Sequence, residues 1–396
     1  MKSHRFQFVL IVILIVTYSA PIFAEEDKIL PPIKLGMSTA LSGPSQSLGI
    51  GIKDGIESYF ARINKEGGIY GRQLEFITLD DGYVPDAAVR NMNILIDEEK
   101  VLAVIGNVGT PTAAVTIPIT TDKKTLLFAP GTGALLVRQH PPNRYVINYR
   151  ASYTQETAVM VNGILEAGFL PHEIAIFTQN DSFGDDGYMG IIKSLEAAGY
   201  DQGYLLPHGR YERNTTNIEQ GLLTILEAPV KPKVIILVGT YAACAKFIRI
   251  MKRVLADTIY MNVSFVASTA LKNALGPVVG EGVIITQVVP HFNSDLPLTR
   301  DYIEDLKSYD PNAEPDFISL EGYIVARIFV EGLIRAGPDV DREKIIDAIL
   351  SINNLDIGIG TPISYSDDNY QGSQMVWPTI IHNDHFESFD FKNLAK

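Results

Sequence analysis

Two short loops of glycine and hydroxyl residues are the parts of this sequence best suited to hold an anion. The loops span residues 106–110 and 130–133. Their candidate ligand-binding residues are small or carry a hydroxyl group: Gly109, Thr110, Gly131, Thr132 and Gly133. Because N–H and hydroxyl groups donate hydrogen bonds, and such bonds are strong when the acceptor is ionised, the chemistry they suit is the binding of a carboxylate.

Each loop follows an apolar run of strand length. Residues 101–105 are rich in β-branched side chains, and residues 126–129 repeat the apolar pattern. Pro111 suits the first position of a helix with Thr110 as its N-cap, which would direct unpaired N–H groups and the helix dipole at the first loop. Ligands of open α/β sheets lie beyond the carboxyl ends of the strands, where both loops fall. The alternative is two ordinary turns whose glycines only satisfy backbone geometry.

Strands alternate with helices along the chain, which predicts an α/β fold with two doubly wound, mostly parallel sheets. The strands predicted in the first part are residues 33–37, 72–79, 101–105, 126–129 and 144–148, and the helices are 49–64 and 87–98. The alternation then restarts, with helices at 154–167, 188–198 and 242–255, strands at 174–178, 234–238, 265–267 and 283–289, and a loop at 180–187. Helices at 299–309, 318–336 and 341–352 and short strands around Trp377 complete the prediction.

Length and composition indicate a globular protein of two lobes. The chain has 396 residues, more than one core usually accommodates, and 46% of them are hydrophobic and 20% charged. The formal net charge is −13. Such an acidic surface argues against nucleic acid or an anionic membrane as a partner.

The first 24 residues predict a secretory signal peptide. Lys2 and Arg5 form a basic end, an apolar run follows, and residues 22–24 (IFA) are suited to signal cleavage, so the mature chain would begin near Glu25. An uncleaved anchor helix is the alternative, although the run is short for a membrane span. Cys244 is the single cysteine, which excludes an internal disulfide and leaves no cysteine to carry a lipid at the cleavage site. A protein of the periplasm is therefore expected.

No pattern in the sequence predicts catalysis, a metal or a cofactor. Asp80 and Asp81 are adjacent on a predicted strand, so their side chains would point to opposite faces of the sheet rather than act as a pair. The seven histidines are scattered without metal-ligand spacing, and neither phosphate-binding glycine fingerprint occurs.

The loops and their order along the chain resemble the type I periplasmic binding proteins, and within them the branched-chain amino acid (Leu/Ile/Val) binding group of ABC transporter components. The resemblance extends over nearly the whole chain. The segments that carry it are IKLG at 33–36, LSGP at 41–44, INKEGGIYG at 63–71, DDGYVPDAA at 80–88, FGDDG at 183–187 and VGTY at 238–241.

The resemblance implies two lobes joined by three hinge crossings, which close around a small ligand and deliver it to an ABC permease in the inner membrane. The crossings are expected near Asn148, Val289 and Gly360. One lobe would then comprise residues 30–148 with 290–360, and the other 149–289 with 361–396. A monomer is expected by the same resemblance.

The resemblance also assigns ligand-binding positions. Gly109 and Thr110 fall where the family holds a carboxylate through a hydroxyl and a backbone N–H, and Gly133 falls where its amino-acid binders have a threonine. The remaining positions of the implied pocket are polar or apolar residues of both lobes: Ser42, Leu48, Gly131, Thr132, Tyr153, Phe183, Tyr241, Ser264 and Phe265.

The segment 260–266 departs from the family pattern. Amino-acid binders of the group carry a glutamate there for the ligand's ammonium, whereas this sequence offers Asn262, Ser264 and Phe265. A buried ammonium without a carboxylate partner costs several kcal/mol. The ligand is therefore either an amino acid, with Asp181 as a replacement acid, or an organic carboxylate or amide without an ammonium; the sequence leaves both open.

Two other functions remain alternatives at this stage. The same fold can pass ligand occupancy to a membrane receptor or signalling protein, and a soluble partner of that kind leaves no motif in the sequence. A hydrolase or amidase is supported by the pair Asp80 and Asp81 alone.

Overall fold

Two α/β sheets organise the computed structural model, which describes residues 30–394. The predicted signal peptide, residues 1–24, lies outside the described residues. Among residues 30–394, no helix is both long enough and apolar enough to span a membrane.

The first sheet has five parallel strands in the order β2-β1-β3-β4-β5. Its strands are β1 (Ile33–Thr39), β2 (Leu74–Asp80), β3 (Ala103–Ile105), β4 (Leu126–Phe128) and β5 (Val146–Ile147). The two central strands β3 and β4 are buried along their whole length, as expected for a parallel sheet covered on both faces.

The second sheet has seven strands in the order β12-β11-β10-β9-β8-β6-β7. Its strands are β6 (Ile174–Gln179), β7 (His208–Tyr211), β8 (Val234–Val238), β9 (Ile259–Asn262), β10 (Ile284–Gln287), β11 (Trp377–His382) and β12 (His385–Ser388). The five strands from β6 to β10 are parallel and repeat the order of the first sheet, whereas β11 and β12 are antiparallel additions at one edge. The restart of the β/α alternation predicted from the sequence is confirmed.

Eleven helices lie within the described residues: α1 (Gln46–Lys65), α2 (Pro85–Asn93), α3 (Thr110–Asp122), α4 (Tyr153–Glu166), α5 (Ser182–Ala197), α6 (Glu219–Leu226), α7 (Tyr241–Met251), α8 (Ser268–Gly280), α9 (Pro297–Tyr309), α10 (Phe317–Ala336) and α11 (Arg342–Leu350). The most buried of the long helices is α10, which packs against α1 and α11.

Two predicted elements are wrong for identifiable reasons. Helix α5 begins at Ser182 rather than at residue 188, because the Asp181 carboxylate accepts a hydrogen bond from the Phe183 N–H and caps the helix within the predicted loop. Residues 264–266 form a 3₁₀ turn rather than a strand at 265–267, and Ala267 follows with a positive φ of 62°. Strand β9 therefore ends at Asn262, and Ser264 and Phe265 lie on a turn beyond its carboxyl end.

Two of the segments that connect the sheets lie side by side. Asn148 follows β5, and its N–H donates to the carbonyl of Tyr370, while the N–H of Gly372 donates back to the carbonyl of Asn148. Ile363 still pairs with Leu355 near α11. The C-terminal segment thus stays beside the first sheet beyond residue 360 and joins the second sheet at β11.

Helices α1 and α10 cross at two glycines. A Cβ added at Gly55 of α1 would lie 1.9 Å from the carbonyl oxygen of Ser319, and one added at Gly322 of α10 would lie 2.2 Å from that of Ile52. Only a residue without a Cβ permits this backbone approach. The close crossing fixes α10, and with it the neighbouring Glu321.

We expect Gly322→Ala to lower the free energy of unfolding by about 1–3 kcal/mol, because the methyl group must displace a backbone carbonyl. Urea unfolding followed by circular dichroism measures it. The matched control is Gly280→Ala in α8, where the nearest atoms would be 3.6 Å away. A Gly322→Ala protein as stable as the control variant would show that the crossing is not tight.

Candidate ligand-binding site between the two sheets

The two anion-binding loops predicted from the sequence lie side by side. Val108 pairs with Gly131 in a parallel bridge, the N–H of Gly131 donates to the carbonyl of Asn107 at 2.8 Å, and that of Gly109 donates to the carbonyl of Gly131 at 3.3 Å. The side chain of Asn107 in turn accepts from the N–H of Ser38 at 3.0 Å. The glycine N–H groups therefore hold the loops together, and the donors that remain at this edge are hydroxyl groups and the N–H groups at the start of α3.

Helix α3 begins one residue earlier than predicted. Gly109, not Thr110, is the N-cap, and its φ of 113° is one that a side chain disfavours. Thr110 is the first helical residue, and its hydroxyl makes a 2.7 Å hydrogen bond to the hydroxyl of Thr132 instead of capping the helix. The first turn leaves N–H groups without acceptors in the helix, and Thr110 and Thr112 carry them.

Three hydroxyl groups form a buried chain at this helix terminus. The Thr132 hydroxyl lies 2.7 Å from that of Thr110 and donates to the Tyr153 hydroxyl at 3.4 Å, while it accepts from the N–H of Ala134. Burial raises the pKa of Tyr153 to about 12. The phenol is therefore neutral at physiological pH and keeps a proton that it can donate to an anion.

Gly133 makes room for the Tyr153 ring. The N–H of Tyr153 donates to the Gly133 carbonyl at 2.8 Å, and a Cβ at Gly133 would lie 2.7 Å from both the Cδ1 and the N atom of Tyr153. A threonine at position 133 would therefore collide with Tyr153. Tyr153 brings its own hydroxyl group to Thr132 in the space that Gly133 leaves open.

Four aromatic side chains pack together next to the hydroxyl groups. Phe183 lies with its ring centroid 5.1 Å from that of Tyr153 and 4.7 Å from that of Phe265, and Tyr83 lies 6.2 Å from Phe265. We call Tyr83, Tyr153, Phe183 and Phe265 the ring cluster. All four are buried, so the cluster offers an apolar, water-excluding wall.

Tyr83 is a site residue that the sequence reasoning missed. It follows β2 with a positive φ of 62°, and its ring fills the space that a Cβ of Gly109 would need, 2.2 Å from Tyr83 Cε2. Its hydroxyl accepts from the Gln179 side chain at 3.3 Å. The only signal in the sequence was its place directly after Asp80, Asp81 and a glycine at a strand end.

Polar contacts join the two sheets at the rim of the site. The Asn214 side chain, which follows β7, donates to the carbonyl of Gly82 at 3.0 Å and lies 3.4 Å from the hydroxyl of Ser45. The Asp186 carboxylate on α5 accepts from the N–H of Leu135 at 3.1 Å. These contacts bridge the loops of the two sheets beside the ring cluster.

A buried ion cluster adjoins the ring cluster, and no pattern in the sequence predicts it. The Arg150 guanidinium donates from Nη1 to both oxygens of Glu321 at 3.4 Å and from Nη2 to Glu156 at 3.5 Å and to Ser264. Glu156 also accepts from the Ser264 N–H at 2.8 Å and from the Thr286 hydroxyl at 2.7 Å. Ser264 thus binds groups of the protein, and the ion cluster comprises Arg150, Glu156, Glu321, Ser264 and Thr286.

Burial and mutual charge set the protonation of this cluster. Burial raises the pKa of Glu321 against the opposing effect of Arg150. Burial alone would lower the pKa of Arg150, but Glu321 and Glu156 raise it above its usual value. A second guanidinium, Arg138, donates to the carbonyls of Thr132 and Ala134, and burial and Arg150 lower its pKa to about 10. Both guanidinium groups stay charged near neutral pH.

Three predicted site residues lie apart from the ring and ion clusters. Ser42 is exposed and donates to Asp80 at 2.6 Å. Leu48 is buried within the hydrophobic core at the start of α1, and Tyr241 is partly buried at the start of α7. Cys244, on the same helix, is fully buried. No group of three or more histidine, cysteine or acidic residues within residues 30–394 is arranged to hold a metal ion.

The two similar sheets, with buried hydroxyl and aromatic side chains between them, agree with the similarity of this chain to known proteins. A family model described as "Periplasmic binding protein" matches residues 32–384. The chain belongs to the periplasmic binding protein family. The family binds solutes.

One solved structure is similar over almost the whole chain. It is described as a possible leucine/isoleucine/valine-binding protein from Rhodopirellula baltica SH 1, with 43% identity and a TM-score of 0.90 over 93% of this chain and 98% of that chain. The similarity extends the family assignment to the detailed fold.

Two curated relatives are more distant. Leu/Ile/Val-binding protein homolog 3 of Brucella melitensis biotype 1 is 23% identical over 85% of this chain and 87% of its own length. The leucine-, isoleucine-, valine-, threonine- and alanine-binding protein of Pseudomonas aeruginosa is 21% identical over 83% of this chain and 84% of its own length. Both align with most of this chain.

Asp81 gives the loop that carries Tyr83 a pH dependence. Its carboxylate accepts from the Ser38 hydroxyl at 2.7 Å and from the Tyr83 N–H at 2.8 Å, and burial raises its pKa from 3.8 to about 6. When the pKa of an acid is higher in the folded state than in the unfolded state, protonation stabilises the fold. The stabilisation is complete at a pH below the pKa of the unfolded state, and it is lost as the pH rises through the pKa of the folded state. Asp81 therefore favours the fold at acidic pH.

Relative to Asp81→Asn, the wild type should lose up to about 3 kcal/mol of free energy of unfolding as the pH rises from about 4 to about 7, since one pK unit corresponds to about 1.4 kcal/mol. Urea unfolding of both proteins at the two pH values measures the difference. The neighbouring Asp80 is the control: despite burial, hydrogen bonds from Ser42 and Leu41 lower its pKa, so Asp80→Asn should change the pH dependence in the opposite direction. A difference that does not vary with pH would contradict the role of Asp81.

Proposed function

We propose that this protein captures a small carboxylate-bearing ligand, an amino acid or a related organic acid or amide, between its two lobes and delivers it to an ABC transporter. The observation that carries the proposal is the buried hydroxyl pair of Thr110 and Thr132 at the start of α3. The pair combines hydrogen-bond donors with the positive end of a helix dipole, and it faces a neutral phenol. These features favour an anionic group.

The ring cluster indicates that the part of the ligand other than the carboxylate is apolar. Phe183 and Phe265 come from the second sheet side, whereas Tyr83 comes from the first, so closure brings apolar surface together from both sides. Exclusion of water strengthens the hydrogen bonds to a carboxylate. The ligand is therefore expected to be small, with a carboxylate at one end and an apolar body.

In this proposal, ligand binding changes the conformation of the protein because the two lobes close around the ligand. We assign residues 30–148 with most of 290–370 to one lobe and residues 149–289 with the C-terminal strands to the other. The pairing of Asn148 with residues 370–372 favours a third crossing after Gln371 rather than near Gly360. A ligand that touches both lobes stabilises the closed state by its differential affinity.

The names of the relatives support the transport role. The Brucella and Pseudomonas proteins are named for binding of branched-chain and other amino acids, and the Rhodopirellula protein as a possible binder of the same class. We assign this protein to the periplasm after removal of residues 1–24, as a monomer that meets its permease at the inner membrane. Genes for a permease and an ATPase beside its own gene would agree with this assignment.

Thr110→Val should weaken ligand binding at least tenfold, which corresponds to about 1.4 kcal/mol, because the carboxylate loses a hydroxyl donor while the side-chain volume is kept. The ligand is first found by a thermal-shift screen of the mature chain against amino acids, amides, and aliphatic and aromatic carboxylates. Titration calorimetry with each compound that shifts the melting temperature then gives the dissociation constants.

The control for this substitution is Thr116→Val, six residues further along α3. The Thr116 hydroxyl donates to the Ala113 carbonyl of its own helix. The control protein should bind as the wild type does. Equal affinity of Thr110→Val and Thr116→Val would remove Thr110 from the site.

A further inference from the structure

We propose that the site excludes an ammonium group, because Arg150 occupies the buried carboxylate of Glu156 and Arg138 adds a cation beside the hydroxyl pair, and that the ligand is a small carboxylate or amide without an α-amino group. The inference rests on the proposed capture of a carboxylate at Thr110 and Thr132. It decides between amino acids and carboxylates or amides without an ammonium group, both of which are compatible with that capture.

The guanidinium lies directly against the site. Arg150 is 2% exposed, and its Cζ atom lies 6.0 Å from the ring centroid of Tyr153, whose hydroxyl group contacts Thr132. Its Nη2 donates to the Ser264 hydroxyl, next to Phe265 of the ring cluster. The guanidinium thus lies over the ring of the tyrosine whose hydroxyl group contacts the hydroxyl pair.

The nearest carboxylate has no lone pair to spare for an ammonium. Glu156 accepts four hydrogen bonds, from the Ser264 N–H at 2.8 Å, the Ser264 hydroxyl at 3.0 Å, the Thr286 hydroxyl at 2.7 Å and Arg150 at 3.5 Å. A carboxylate offers about four lone-pair sites. A ligand ammonium would have to displace one of these donors, all of which are buried.

The other acids near the ring cluster are also engaged. Asp181 accepts from the Phe183 N–H at 3.0 Å, from the Gln179 amide at 2.8 Å and from Arg213 at 3.4 Å. Three of its lone-pair sites are therefore already occupied, one of them by the charged Arg213. Both oxygens of Glu321 on α10 accept from Arg150 at 3.4 Å, so this acid is engaged as well.

Asp186 is the one nearby acid with an oxygen, Oδ2, that lacks a partner within residues 30–394. Its other oxygen accepts from Leu135, an exposed residue at the rim, and burial raises the pKa of Asp186. Asp186 is partly buried and close enough to Arg138 for each group to shift the pKa of the other, so it defines the competing outcome of the test.

Positive charge also flanks the hydroxyl pair from the side of Arg138. Its guanidinium donates to the carbonyl of Thr132 at 3.2 Å and to that of Ala134 at 3.0 Å. These acceptors are uncharged, whereas Arg150 is paired with Glu156. In a closed site the effective dielectric constant is low, so the guanidinium of Arg138 disfavours a further cation beside the hydroxyl pair and favours an anion.

The test compares ligands that differ only by the α-amino group. Leucine and 4-methylpentanoate share the carboxylate and carbon skeleton, and phenylalanine and 3-phenylpropanoate form a second, larger pair. Titration calorimetry of the mature wild type should give at least tenfold tighter binding of the compound without the amino group in the pair that fits. Equal or tighter binding of the amino acid would overturn this inference and leave the proposed capture of a carboxylate intact. Absence of binding by all four compounds would overturn both.

Arg150→Met should reduce that preference at least tenfold, whereas Arg150→Lys, which keeps the cation, should retain it. The ratio of two dissociation constants measured on one protein does not depend on the folded fraction, so partial loss of folding does not obscure the result. Arg144→Met is the matched control, since the exposed Arg144 pairs with Glu343 and Asp347 outside the site. An unchanged preference in Arg150→Met would overturn the role of Arg150.

The Asp186→Asn variant tests whether Asp186 binds the ammonium group of an amino acid. If the wild type binds leucine and this variant does not, Asp186 holds the ammonium and the inference is wrong. If the variant keeps the wild-type preference for 4-methylpentanoate, the rim acid has no part in the selection and the inference stands.

Discussion

A guanidinium buried where the chain passes from one sheet to the other is the interaction on which the rest of the site depends. Arg150 lies between Glu156 on α4 and Glu321 on α10, which pack on different sides of the molecule. Removing one partner of a buried ion pair leaves an uncompensated charge at a cost of about 3–5 kcal/mol. The three charges therefore restrain the relative positions of α4, α10 and the first crossing. Tyr153 and Ser264 take their places from this restraint.

Glycines with close neighbours give the site its shape. Gly109 and Gly133 each leave a space that an aromatic ring fills, Tyr83 in one case and Tyr153 in the other. Away from the site, Gly55 and Gly322 let α1 and α10 approach closely enough to fix Glu321. In each position the missing Cβ matters because another part of the chain, distant in sequence, occupies its volume.

The two sheets use the same strand order, 2-1-3-4-5, although their sequences show no close repeat. This order brings the loops after the first, third and fourth strands of each half to one edge, where ligands of such sheets bind. The loops of the first half supply hydroxyl groups, and those of the second half supply Phe183 and Phe265. Similar scaffolds thus present different chemistry from the two sides of one cleft.

The sequence by itself determined the fold class, the family and the two loops with Thr110 and Thr132, because buried parallel strands leave continuous apolar runs and strand ends are marked by glycine and hydroxyl residues. Helices α3 and α5 begin earlier than predicted from the sequence, because Gly109 and Asp181 cap them. Only the tertiary structure brought Arg150, Glu156 and Glu321 together and turned Tyr83 toward Phe265. Contacts of this kind join residues that are as many as 182 positions apart. The charge balance of a site depends on which side chains meet in the folded protein, and the local spacing of residues does not encode those meetings.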